Sequence, residues 1–189
     1  HEFVSRAESL VNQYPELQAV TWIDERRRVL ATHAASTLAP GQLRTVDDVL
    51  RPGETEGIYS LARDLQQPVY SQPVGGTDSP TLLQLHTPIT DQGHFAGVVL
   101  GEYSIDGLLR YGAPTEVQAK YALTLLDGSN RLLAGTPLPE RNGATRLVPW
   151  STDPSEYEIP VSPVGNSLVF RAQAYQTSLG LVGSGLFWM

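Results

Sequence analysis

Glu102 is a lone carboxylate in an apolar run. Residues 97–103 read Gly-Val-Val-Leu-Gly-Glu-Tyr, and in an extended chain Glu102 falls in phase with Val98, Leu100 and Ser104. Buried alone, such a carboxylate is costly, so it either meets a ligand or sits at a solvated strand end. Gln84 and His86 repeat the pattern. On an extended stretch Thr81–Thr87 they share one face, opposite Leu83, Leu85 and Thr87. Two polar residues in phase on an inner strand suggest a polar lining; for His86 alone, a hydrogen-bonded core histidine is the other reading. In the stretch Val69–Pro73, one of Tyr70 and Ser71 should face the same space. Tyr59 and Arg63 lie one helical turn apart. Arg63 could grip a carboxylate bidentately, or it could simply project into solvent. A mix of Arg, His, Glu and Tyr suits a small, polar, charged metabolite. Trp22 alternates with Val20 and reads as core.

Other chemistries find little support. There is no cysteine, so disulfides and thiolate nucleophiles are excluded. There is no phosphate-binding loop and no Gly-x-Ser-x-Gly elbow. His33, His86 and His94 lack metal-ligand spacing, and Asp47-Asp48 reads as a helix start. No catalytic residue, metal site or cofactor is expected. A net charge of −7 argues against nucleic acid, which needs a basic footprint. With 41% hydrophobic and 17% charged residues, the chain can build a core.

The elements that must position these residues come from a duplicated pattern. Ala19–Thr32 and Ala122–Gly135 align without a gap, with Ala, Thr, Asp, Arg, Leu and Ala in register. Each reads as strand, short turn, strand. Pro88–Tyr103 and Pro160–Tyr175 form another pair, sharing Pro, then Gly five residues on and Tyr fifteen on. Each is again a hairpin. The chain therefore holds two modules, each opening and closing with a hairpin. From Asp24 to Pro88 is 64 residues (88 − 24), and from Asp127 to Pro160 is 33 (160 − 127). Only the first module has sequence to spare for a cover over its sheet, and a ligand cavity needs such a cover.

A helix is expected over Glu2–Tyr14, where Phe3, Val4, Ala7, Leu10 and Val11 recur at helical spacing and Pro15 ends it. Glu56–Leu65 reads as an amphipathic helix and Ile105–Tyr111 as a short linking helix. A loop is expected at 74–80 and a Pro- and Gly-rich cover at Thr136–Pro154. The fold class is α+β. Residues 1–18 form the N-terminal helix, 19–112 the larger module, 113–178 the smaller, and 179–189 either a last core segment or the start of a membrane helix. No run of about 20 apolar residues spans a membrane.

Residues 93–109, Gly-His-Phe-Ala-Gly-Val-Val-Leu-Gly-Glu-Tyr-Ser-Ile-Asp-Gly-Leu-Leu, resemble the strand–strand–helix ending of the extracytoplasmic PAS-like sensor domains called Cache or PDC domains. Residues 57–73, with Ile58-Tyr59, Ala62 and Pro68-Val69-Tyr70, are similar to the preceding helix and strand of that family. The tandem arrangement covers nearly the whole chain and resembles the double-Cache sensors of bacterial histidine kinases. The resemblance implies a periplasmic, ligand-sensing domain with two PAS-like modules, the second next to the membrane. It implies flanking membrane helices and a signalling output in the cytoplasm. A diguanylate cyclase, a chemoreceptor or a non-signalling binding module is the alternative. Glu102 matches the acidic residue that often meets a ligand amine there. Amino-acid-binding members carry Arg where this chain has Glu56, a departure that argues against the family's standard amino-acid carboxylate clamp unless Arg63 replaces it. The N-terminal helix is the expected homodimer and transmission element. The candidate ligand-binding residues are Tyr59, Arg63, Tyr70, Ser71, Gln84, His86, Glu102 and Ser104.

Overall fold

The computed structural model describes residues 1–38, 40–50, 53–74, 81–138, 156–161 and 168–175. The loop 75–80, most of the expected cover at 136–154 and the apolar segment 179–189 lie outside the described residues. Among the described residues, no helix is long and apolar enough to cross a membrane.

Helix α1 spans Glu2–Gln13. Its Ala7 and Val11 are buried against Leu17 and Val20, and Phe3 stacks tilted on Trp22 with ring centroids 5.7 Å apart. Tyr14 is already extended, as the residue before a proline tends to be.

Two antiparallel sheets follow. The first joins β1 (Leu17–Asp24), β2 (Val29–Ala34), β3 (Val69–Tyr70), β4 (Leu82–Asp91) and β5 (His94–Ser104) in the order β2-β1-β5-β4-β3. The other joins β6 (Tyr121–Leu126), β7 (Leu132–Gly135), β8 (Glu156–Pro160) and β9 (Val169–Ala174) in the order β7-β6-β9-β8. The two orders match strand for strand, with β3 as the addition. Helix α2 (Glu54–Leu65) and a 3-10 turn at Pro40–Gln42 belong to the longer stretch of the first module. Helices α3 (Ile105–Tyr111) and α4 (Thr115–Gln118) link the modules.

The repeated aspartate has one physical role in both copies. Asp24 Oδ1 accepts from the amides of Arg26 and Arg28, and Asp127 Oδ1 accepts from those of Ser129 and Arg131. In each turn the third residue after the aspartate is left-handed, Arg27 at φ 66° and Asn130 at φ 65°. A carboxylate that satisfies two loop amides fixes the turn. Its bonds to Ser129 and Arg131 hold the Asp127 carboxyl below the usual carboxylate range.

The closing hairpins are not in the register that the sequence repeat suggests. Leu85 pairs with Gly101, while Tyr157, 72 residues after Leu85, pairs with Ala172, only 71 after Gly101 (172 − 101). The cause is a bulge in the first module. Ile89 pairs with Gly97 and Thr90 with Phe95, leaving Ala96 as an extra residue. Gly97 serves the bulge at φ 131°, where a Cβ would fall on the Ile23 carbonyl oxygen. Tyr103 therefore corresponds to Ala174 and not to Tyr175.

Three smaller expectations are corrected. Helix α2 begins two residues earlier, at Glu54, and β3 stops at Tyr70. Asp47-Asp48 forms a turn and not a helix start. Asp47 is left-handed at φ 71°, and Asp48 Oδ2 accepts from the Thr45 amide at 2.7 Å.

Candidate functional site

Pairing places the polar residues of the first sheet in rows across the face under α2. Val29, Ile23 and Val98 form an apolar row that closes around Tyr59 and Leu50 in one core cluster. The next row is Thr32, Thr21, Leu100, His86 and Val69. Beyond it lie Ala34, Ala19, Glu102 and Gln84. Polarity thus rises across the face, and Gln84, His86 and Glu102 come together as their alternation requires. All three are buried, at 2%, 0% and 2% exposure.

Their partners define the site. Gln84 Nε2 donates to Glu102 Oε1 at 2.7 Å, and Thr55 Oγ1, in the first turn of α2, donates to Gln84 Oε1 at 3.2 Å. Arg44 Nη2 approaches Glu102 Oε1 at 3.6 Å, an ion pair beyond good hydrogen-bond reach. Ser71 is fully buried. Its amide donates to the Gln84 carbonyl at 2.8 Å, and its hydroxyl accepts from the Gln84 amide at 3.3 Å. Both His86 nitrogens and Arg44 Nε are buried without hydrogen-bond partners. Burial, reinforced by the Arg44 cation, drops the His86 pKa to about 3, so the ring is neutral near pH 7.

The other expected residues are placed elsewhere. Tyr59 is core: its hydroxyl donates to the Asp24 carbonyl at 2.7 Å, and its ring meets Phe95 edge-on at 5.7 Å. Burial foremost, with nearby Asp24, pushes its phenol up to about 12. Arg63 does not join the cluster. It pairs with Asp64 at 2.8 Å with its side chain 47% exposed. Tyr70 lies on the opposite face of the sheet, because it alternates with Ser71. Ser104 caps α3, accepting from the Gly107 amide at 3.2 Å. Glu56 binds Arg27 at 2.6 Å. Arg44, Thr55 and Thr21 are the site's additions, and Thr21 shares a 2.8 Å hydroxyl bond with Thr32. Period-two reading of β1 places Thr21 on this face; nothing periodic marks Arg44. Among the described residues no group of three or more acidic or His side chains could hold a metal ion.

No family model matches the sequence, and no curated protein matches it. Solved structures do match the fold. The extracellular domain of the protein vpHK1S-Z8, named as a histidine kinase, superposes with a TM-score of 0.60 at 12% identity, over 92% of this chain and 74% of that one. The sensory domain of the Campylobacter jejuni chemoreceptor Tlp3 gives 0.54 at 11% identity, over 93% and 73%. An extracellular ligand-binding receptor from Desulfohalobium retbaense gives 0.55 at 15% identity, over 90% of this chain. This chain spans about a third of that receptor, 32% of its length. The chain thus shares the fold of these extracellular and sensory domains: α+β, with two antiparallel sheets behind an N-terminal helix.

Proposed function

We propose that the chain is the periplasmic ligand-sensing part of a transmembrane signalling protein. In this reading it binds a small, polar, charged metabolite on the α2-covered face of the first sheet. One observation carries it. Arg44 Nε and both His86 nitrogens are buried without partners, beside the Glu102–Gln84 pair. Each unsatisfied buried polar atom costs roughly 1–3 kcal/mol. A cluster of them is a burden on stability that a ligand offering complementary donors and acceptors relieves. The neutral imidazole supplies one donor and one acceptor, Glu102 favours an amine, and Arg44 favours an acidic group.

Residues 19–112 serve as the membrane-distal, ligand-binding module and 113–178 as the membrane-proximal one. Membrane helices flank the pair, and α1 forms the homodimer contact that transmits the signal. The segment itself performs no catalysis, and the output is a two-component histidine kinase. A diguanylate cyclase or chemoreceptor output is the second reading, favoured to the extent that a chemoreceptor domain shares the fold.

A thermal-shift screen of small acids, amines and amino acids tests the site. A ligand at 100 times its Kd stabilises the fold by about 2.7 kcal/mol. Glu102→Ala should abolish that shift while the unliganded variant keeps its circular dichroism. Equal binding by Glu102→Ala would remove this site from the proposal. In the complete gene, kinase motifs beyond a membrane helix decide the output.

A further inference from the structure

The other face of the first sheet is shared between two neighbours. Helix α1 covers Val20 and Trp22, and the second sheet lies toward Leu83 and Tyr70. Between the sheets a cavity of about 310 Å³ remains. Tyr70, Leu83 and Tyr103 wall it from the first sheet, Leu108 from α3, and Leu125 and Phe170 from the second sheet. Among the described lining residues none is charged, and the two tyrosines supply the only polar side-chain atoms.

Protein interiors are close-packed and hold few voids larger than a water molecule. The space is partly open to solvent, and partly open, mostly apolar clefts of about 300 Å³ or more are the usual form of small-molecule sites. The buried cluster of Leu83, Ile105, Leu125, Ala134 and Leu168 packs between the sheets, so this space is part of the junction itself.

We infer that this cavity is a separate ligand site for an uncharged, mainly apolar small molecule. Its guest is an aromatic ring or short alkyl chain with at most one hydroxyl or carbonyl, on the order of ten non-hydrogen atoms at interior packing density. Burial raises the Tyr103 phenol, which stays protonated and able to donate to such a guest. Among the described lining residues no charge offsets the desolvation of a carboxylate or an ammonium ion, so the lining disfavours both. The site is independent of the polar cluster, since Tyr70 and Leu83 alternate with Ser71 and Gln84 across the sheet. A guest touches both modules, so it ties one to the other.

The 189-residue chain is titrated with n-butylbenzene and with 4-propylphenol, followed by thermal shift and by methyl NMR of its leucines. Saturable one-to-one binding is expected, with Leu83, Leu108 and Leu125 methyls shifting, and no response to benzoate. Leu108→Phe fills the void and should lose the response without a lower melting temperature; Leu125→Phe serves if that variant does not fold. Three results overturn the inference: no saturable binding of either probe, unchanged binding in the filled variant, or binding abolished by Glu102→Ala.

Discussion

Arg44 and Glu102, 58 residues apart in the chain (102 − 44), form an ion pair at 3.6 Å across the polar end of the first sheet. Arg44 is 22% exposed in its side chain and Glu102 only 3%, so the arginine alone retains contact with water. Glu102 keeps Gln84 as a hydrogen-bond donor when Arg44 is removed, but it loses the nearby positive charge.

The pair gives a first prediction. Arg44→Ala should destabilise the unliganded chain by roughly 1–3 kcal/mol, the range for stranding a buried polar partner. Adding Glu102→Gln removes the stranded charge and should return part of that loss. The expected coupling in a double-mutant cycle is at least about 0.5 kcal/mol, read by urea unfolding. Strictly additive values would mean that the two groups do not sense each other.

His86 sets an acid limit. Its folded pKa of about 3 lies below the ordinary imidazole value of 6.5, so the unfolded chain binds the extra proton between those values. Stability then rises with pH across the window. The His86 contribution is fully present above about pH 6.5 and is lost as pH falls toward 3. A shift of this size corresponds to something on the order of 5 kcal/mol. Arg44 opposes the extra charge, and Glu102 sits on the adjoining strand one row away. His86→Leu should flatten the limb in denaturant melts taken from pH 7 to pH 4. Parallel curves for parent and variant would show that the ring is accessible to protons in the fold.

The sequence made visible what depends on periodicity. Gln84, His86 and Glu102 share a face because strand alternation leaves no other choice, and Asp24 and Asp127 recur because one carboxylate closes each turn. Arg44 was hidden, since it comes from the irregular stretch 43–48 between the 3-10 turn and α2. Arg63 was over-read: one helical turn from Tyr59 places it on the same stripe, but beyond the buried edge. Tyr103 and Tyr175 misled for a local reason, the extra Ala96 that shifts the first module's closing strand by one residue. Helix spacing cannot reveal a bulge made by one residue in a strand.

The turn aspartates offer a test of the duplicated architecture. Asp24→Ala removes an acceptor for two amides, Arg26 and Arg28, and should cost about 1–2 kcal/mol. Asp24→Asn keeps one carbonyl acceptor and should recover most of it. Asp127→Ala should act in the same direction. An Asp24→Ala chain as stable as the parent would mean that the left-handed residue Arg27 holds the turn unaided.

The second sheet offers the sharpest contrast for where a charged ligand binds. Gln173 stands opposite Ala122 and Glu156, as Glu102 stands opposite Ala19 and Gln84, so it is the structural counterpart of Glu102. One row away Arg171 occupies the place of Leu100, and it satisfies itself locally. It binds Glu156 at 2.8 Å, Glu158 at 2.6 Å and Asn130 at 2.7 Å. Glu156 and Glu158 have side chains 42% and 50% exposed. Among the described residues of this face no buried nitrogen is without a partner, unlike His86 and Arg44. Surface ion pairs of this kind contribute about 0–1 kcal/mol. Arg171→Ala should therefore lower stability only slightly and leave the ligand-induced thermal shift of the parent intact. Glu102→Ala should do the reverse, abolishing the shift. Loss of the shift in Arg171→Ala, with the shift kept in Glu102→Ala, would move the binding site to the second module.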